Sequence, residues 1–173
     1  RRAIYTTWRR SNPYPSMATF DAPNREVCLL RRERSHTPLQ ALVTLNDPVF
    51  VEAAQALARR MIAAGARPED RVAHGFRACL SRWPTAAERS ELLALWEKAR
   101  RQFAADAGKA RAFATQPMGD APAGVDVAEL AAWTLVLSDF WTNDLLGSPR
   151  PFLLSPLAAG SSALQSALSV LLL

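Results

Sequence analysis

TPLQALVTLNDPVFVEAAQALARRMIAAG, residues 37–65, carries two helix starts written in the same chemistry. Thr37 is an N-cap residue whose hydroxyl can accept from a free backbone N–H. Pro38 follows at the first helical position, where its missing N–H costs nothing. The spacing predicts a helix over about 38–45 that presents Leu39, Leu42, Val43 and Leu45. Asn46-Asp47-Pro48 then repeats the stop and the start. A second helix is predicted over 48–64, with Phe50, Ala54, Leu57, Ala58, Met61 and Ile62 inward, ended by Gly65.

The same reading extends downstream. Val72, Phe76, Cys79 and Leu80 fall at i, i+4, i+7 and i+8 of a helix over 68–81, which Trp83-Pro84 breaks. Thr85-Ala-Ala-Glu88 is a capping box and opens a helix over 86–107 that buries Leu92, Leu95, Trp96, Ala99 and Phe103. A Gly/Pro/Ala loop occupies 116–125. Asp126, three residues before Glu129, opens a last helix over 127–142 that presents Leu130, Trp133, Thr134, Leu137 and Trp141. Upstream, residues 1–10 suit a helix or a short strand equally. Pro13, Pro15 and Pro23 make 11–26 an ordered loop. Short connections imply antiparallel neighbours. The expected fold is all-α: a small antiparallel bundle of about five helices, preceded by a long ordered Arg-rich loop.

Composition agrees with an ordinary globular domain. The 173 residues are 49% hydrophobic and 21% charged, and alanine, the best helix former, is the commonest residue with 32 copies. The net charge of +5 is uneven: residues 1–34 hold eight Arg against three acids, whereas 61–173 balance eleven basic against eleven acidic residues. A mildly basic chain without a dense stripe of Arg and aromatics speaks against a dedicated nucleic-acid binder. From Leu145 to Leu173 the only charge is Arg150, and the apolar runs there are too short to span a membrane. The expected division is a helical domain over 1–144 and a low-charge apolar and Ser-rich tail over 145–173. A first residue other than Met suggests a C-terminal piece of a longer protein.

The densest chemistry lies between Phe20 and Pro48. The candidate ligand-binding residues there are Asp21, Arg25, Arg31, Arg32, Arg34, His36, Gln40, Asn46 and Asp47. Two uses compete for them. Planar guanidinium groups bind carboxylate, sulfate or phosphate in bidentate fashion. Alternatively, Arg–acid pairs and Asx turns pin a loop to the helices behind it. Asp21, Asn24 and Glu26 lack the glycine and the ligand count of a calcium loop. His36 and His74 are the only histidines, and neither sits in a zinc-like or haem-attachment pattern, so no metal or cofactor is expected in this segment. His74 lies off the apolar face and is expected to be exposed. Cys28 and Cys79 suit either two thiols or one disulfide. The five tryptophans suit either the core or a carbohydrate platform, with core packing the better fit to their helical spacing.

The motifs R-R-x-I-Y-x-x-W-x-R (1–10), M-x-x-F-D-A-P-x-R-E-V-C (17–28) and R-R-E-R-x-x-T-P-L-Q-A-L-x-x-L-N-D-P-x-F-V-E-A-A (31–54) resemble a known family. It is the C-terminal conserved domain, of unknown function, of planctomycete cytochrome-c-domain proteins. FRACLSRWPTAAE (76–88) and AELAAWTLV (128–136) extend the resemblance to about residue 136. His36 stands where such proteins usually have Asn. The resemblance implies an exported, periplasmic, multidomain parent with haem c carried in another region, and it supplies no catalytic residue. The expected role is a non-catalytic accessory domain that docks neighbouring domains, or an acidic or sulfated polysaccharide, through the Arg-rich loop. The alternative is a composite active site completed by an upstream domain, acting on polysaccharide.

Overall fold

A computed structural model describes residues 5–7, 9, 11–23, 25–31, 35 and 37–145. Seven helices are found among them: α1 (Pro15–Thr19), α2 (Pro38–Asn46), α3 (Pro48–Ala64), α4 (Pro68–Leu80), α5 (Ala86–Ala105), α6 (Ala107–Thr115) and α7 (Val127–Leu145). The fold is all-α. Each of the first four helices begins on a proline, in keeping with the fixed φ and absent N–H of that residue. Thr37 with Gln40 and Thr85 with Glu88 form full capping boxes. Asp47 caps α3 by accepting from Val49 N at 2.9 Å.

Two helices exceed the sequence expectation. Residues 15–19, expected as loop, form the short α1. The helix expected to run to 107 stops at Ala105 and restarts at Ala107 as α6, because the Asp106 carboxylate accepts from Lys109 N at 3.0 Å and caps a new first turn. Asp126 accepts from Ala128 N at 3.1 Å and caps α7 as expected, but Glu129 does not turn back to the cap. It pairs instead with Arg71 of α4.

The bundle is organised around α7, which packs on α5, α3, α6 and α2. Every residue from Leu130 to Phe140 is buried. A helix enclosed on all sides needs apolar residues around its whole circumference, and its few polar groups must bond internally. Thr134, Ser138 and Thr142 each donate to the carbonyl four residues back, at 2.9, 3.1 and 2.8 Å. Trp133 stacks on Trp96 of α5 at 5.2 Å, and Phe140 meets Phe76 of α4 at 5.2 Å. The buried Gln55 amide of α3 donates to Phe113 O and Gln116 O at 2.7 and 2.6 Å and accepts from Met118 N at 3.2 Å. That fastens the end of α6 to α3. Gly75 sets the α3–α4 approach: a Cβ there would lie 2.6 Å from Met61 Sδ.

Cys28 is exposed and Cys79 half-buried, and no disulfide joins them. His74 is half-buried rather than exposed, with Nε2 enclosed. No helix among the described residues is long and apolar enough to cross a membrane. The helix α7 runs to Leu145, and residues 146–173, the rest of the expected tail, lie outside the described set.

The α5 start makes a pH prediction. Glu88 accepts from Arg82 at 2.7 and 3.0 Å and from Thr85 N at 2.7 Å. The Arg82 hydrogen bonds, helped by the Thr85 amide, hold its pKa down at about 2 against an ordinary 4.5. A lowered carboxylate pKa contributes stability that is complete above pH 4.5 and lost as pH falls towards 2. With the Glu88 side chain 30% exposed, solvent screening leaves about 1–2 kcal/mol. Glu88→Gln keeps the capping box and removes the charge. Unfolding followed between pH 5 and 2 should therefore show a flatter pH slope in this variant than in the parent chain. Identical slopes would refute the assignment.

Candidate functional site

The Phe20–Pro48 segment is assembled by side chains that reach back onto the bundle. Gln40, in the first turn of α2, is buried at 2% exposure. Its Nε2 donates to Thr19 O at 2.9 Å, Ser35 Oγ at 3.2 Å and Asp21 Oδ2 at 3.3 Å. Its Oε1 accepts from Thr37 N at 3.2 Å. The Asp21 carboxylate also accepts from Ser35 N and Ser35 Oγ, both at 2.8 Å. Asp21 itself holds a left-handed backbone (φ 58°), a conformation that Asp tolerates better than most residues. Asp21, Ser35 and Gln40 thus knot the end of α1 to the start of α2.

A second tie lies at the other end of α1. Ser16 Oγ donates to Asp47 Oδ2 at 2.6 Å, while Asp47 Oδ1 caps α3. The Phe20 and Phe50 rings meet at 5.7 Å between these two polar ties. Asn46 Nδ2 donates to Leu42 O at 2.8 Å and satisfies a carbonyl at the end of α2. Four of the candidate residues, Asp21, Gln40, Asn46 and Asp47, therefore have their described polar contacts inside the fold. Arg25 (φ 63°) and Arg31 are exposed. Arg32, Arg34 and His36 lie outside the described residues. No group of three or more His, Cys, Asp or Glu that could hold a metal ion occurs among the described residues.

The outer side of the same corner is apolar. The expected inward face of α2 is turned round: Leu39 and Leu42 are 56% and 50% exposed, while Gln40 and Thr44 are buried. The cause is polar. Gln40 is drawn in by the knot, and Thr44 Oγ1 lies 2.9 Å from Thr142 Oγ1 of α7. Hydrogen-bonded polar groups four residues apart fix the inward face, so Leu39 and Leu42 face outward while Val43 and Leu45 are half-buried. Val27, Leu29, Leu30 and Val49 are exposed as well, and eight of the ten large exposed apolar side chains described fall in residues 5–49.

Sequence reasoning passed over Ser16, Thr19 and Ser35, whose small polar side chains carry no periodic signal. It preferred the core for the tryptophans, whereas Trp83 is 62% exposed in the α4–α5 turn with the Arg77 guanidinium 4.5 Å from its ring centre. Its place beside Pro84, off any helix face, is the signal that sets it apart from Trp96 and Trp133. Asp139, wholly buried in α7, is the one acid among the buried residues Leu130–Phe140.

Residues 1–96, more than half of the chain, match the family model described as PSD1, protein of unknown function (DUF1553). The chain belongs to this family. No match was found among curated proteins or among solved structures. The DUF1553 match takes in the knot, the outward leucines and the Arg77–Trp83 turn, and it ends in α5 at the Trp96 that stacks on Trp133. The family description assigns no activity, so any role must come from the geometry.

Proposed function

We propose that this DUF1553 chain is a non-catalytic accessory domain that docks neighbouring domains of a larger parent protein through its N-terminal corner. The observation that carries this reading is the split character of residues 20–49. Their described polar side chains at Asp21, Gln40 and Asp47 bond inward, and Leu39, Leu42 and Val49 stand exposed. A helix that buries Gln40 and Thr44 and exposes Leu39 and Leu42 leaves apolar area that a partner surface would cover. The Arg-rich composition of residues 1–34 suits a rim of carboxylates around such a partner. The resemblance to planctomycete cytochrome-c-domain proteins supports an exported parent with haem c in another of its regions. The 173 residues hold no C-x-x-C-H stretch for its attachment.

The test is hydrogen exchange over residues 38–46 in this chain and in the full parent. Docking predicts slower exchange in the parent and loss of that protection on Leu39→Ser with Leu42→Ser. Equal exchange in both settings refutes it. Because both leucines are half or more exposed, the double variant should keep its fold, which circular dichroism checks.

A further inference from the structure

The three tryptophans with described side chains, Trp83, Trp96 and Trp133, divide between two environments. Trp96 and Trp133 are buried and stacked on each other, whereas Trp83 offers most of its indole to solvent. Its turn is rigid on several counts. Ser81 N donates to Arg77 O at 3.0 Å, closing α4. Pro84 is buried, and the Thr85–Glu88 capping box starts α5 directly behind it. Arg82 is neutralised by Glu88 and lies 4.7 Å from the Phe76 ring centre. Arg77, by contrast, is exposed, has no carboxylate within salt-bridge distance among the described residues, and lies over the indole face of Trp83.

We propose that Trp83 and Arg77 form a binding site for one acidic sugar unit, a pyranose ring bearing a carboxylate or a sulfate. The C–H face of a pyranose is apolar and weakly electropositive, and it matches the electron-rich indole face opposite the one Arg77 covers. The acid group pairs with the planar, permanently charged fork of the guanidinium. Arg77 stacked on the ring holds the indole in place before any ligand arrives, which lowers the ordering cost of binding. A single-stranded nucleic acid fits less well, since its sites line up several aromatics along a basic groove, and one exposed ring stands here. The site rests on the expectation of an anionic glycan ligand, not on docking through α2. It moves that ligand away from the Arg-rich segment, where Asp21, Gln40 and Asp47 are engaged internally.

The experiment titrates the whole chain at low ionic strength with polygalacturonate, chondroitin sulfate and neutral dextran. Calorimetry gives affinity, and the Trp83 indole N–H resonance, identified by its absence in Trp83→Phe, reports position. The expected result is binding of an acidic polymer with a shift of that resonance and no response to dextran. The polymer that binds names the acid group. Trp83→Ala and Arg77→Ala should each weaken binding at least about tenfold, with melting temperatures unchanged because both side chains are exposed. Binding that survives both substitutions and falls with Arg31→Ala overturns this site and returns the glycan to the Arg-rich segment. Equal binding of dextran overturns the role of Arg77. No binding by the unmodified chain overturns the glycan ligand itself and leaves docking through α2 standing.

Discussion

Trp133→Ala should lower the stability of the chain by about 3–5 kcal/mol, one of the two largest losses expected here. Trp133 has no exposed surface and stands on α7, the helix that α5, α3, α6 and α2 all touch. Truncation removes its stacking on Trp96 at 5.2 Å and opens a cavity between elements that cannot close on it together. Trp133→Phe separates packing from polarity. The indole Nε1 is buried with no hydrogen-bond partner among the described residues, so phenylalanine removes an unsatisfied donor while keeping much of the ring. The smaller cavity and the relieved donor offset each other in part, and a loss of about 1–2 kcal/mol is expected. Guanidinium chloride unfolding followed by circular dichroism measures both. A Trp133→Ala loss below about 1 kcal/mol would mean that α7 is not the spine of the bundle.

The helix boundaries were legible because they depend on local chemistry. A capping hydroxyl or carboxylate before a proline marks the starts at Pro38 and Pro48, and Thr85 with Glu88 marks the start of α5. Each acts within one turn. The facing of α2 was not legible. Periodicity assumes that leucine goes inward, and on α2 the partners waiting inside are Thr19 O, Ser35, Asp21 and Thr142, which select Gln40 and Thr44. The break at Asp106 hid inside an alanine-rich run with good helical propensity on both sides. The candidate segment was found by its density of polar residues, but density does not separate a ligand site from a knot. Only the distances from Gln40 and Asp21 do that. The Arg71–Glu129 pair lay beyond sequence reasoning because its partners are 58 residues apart and Glu129 already fitted a capping pattern.

Glu129→Ala should cost about 2–4 kcal/mol, because it strands a charge instead of merely losing a contact. The Arg71 side chain is 10% exposed and that of Glu129 22%. Arg71 Nε donates to Gly65 O at 2.7 Å, so the guanidinium ties the α3–α4 turn and α7 together. Without the carboxylate, the cation keeps one carbonyl and little water. The pair differs in kind from Arg67–Asp70 on the same helix, whose side chains are 74% and 48% exposed and whose attraction solvent and salt screen. Replacing both partners, Arg71→Met with Glu129→Leu, removes the stranded charge and should return stability to within about 1 kcal/mol of the parent chain. A double-mutant cycle by urea unfolding would then give a coupling of about 2 kcal/mol, little changed between low and moderate salt. Coupling near zero would mean that water already solvates the pair. The consequence reaches the surface, since Arg71 anchors the helix that carries Arg77 six residues on. If α4 holds the Trp83 platform in place, Glu129→Ala should weaken acidic-polymer binding under conditions where the chain remains folded, whereas the apolar double replacement should not.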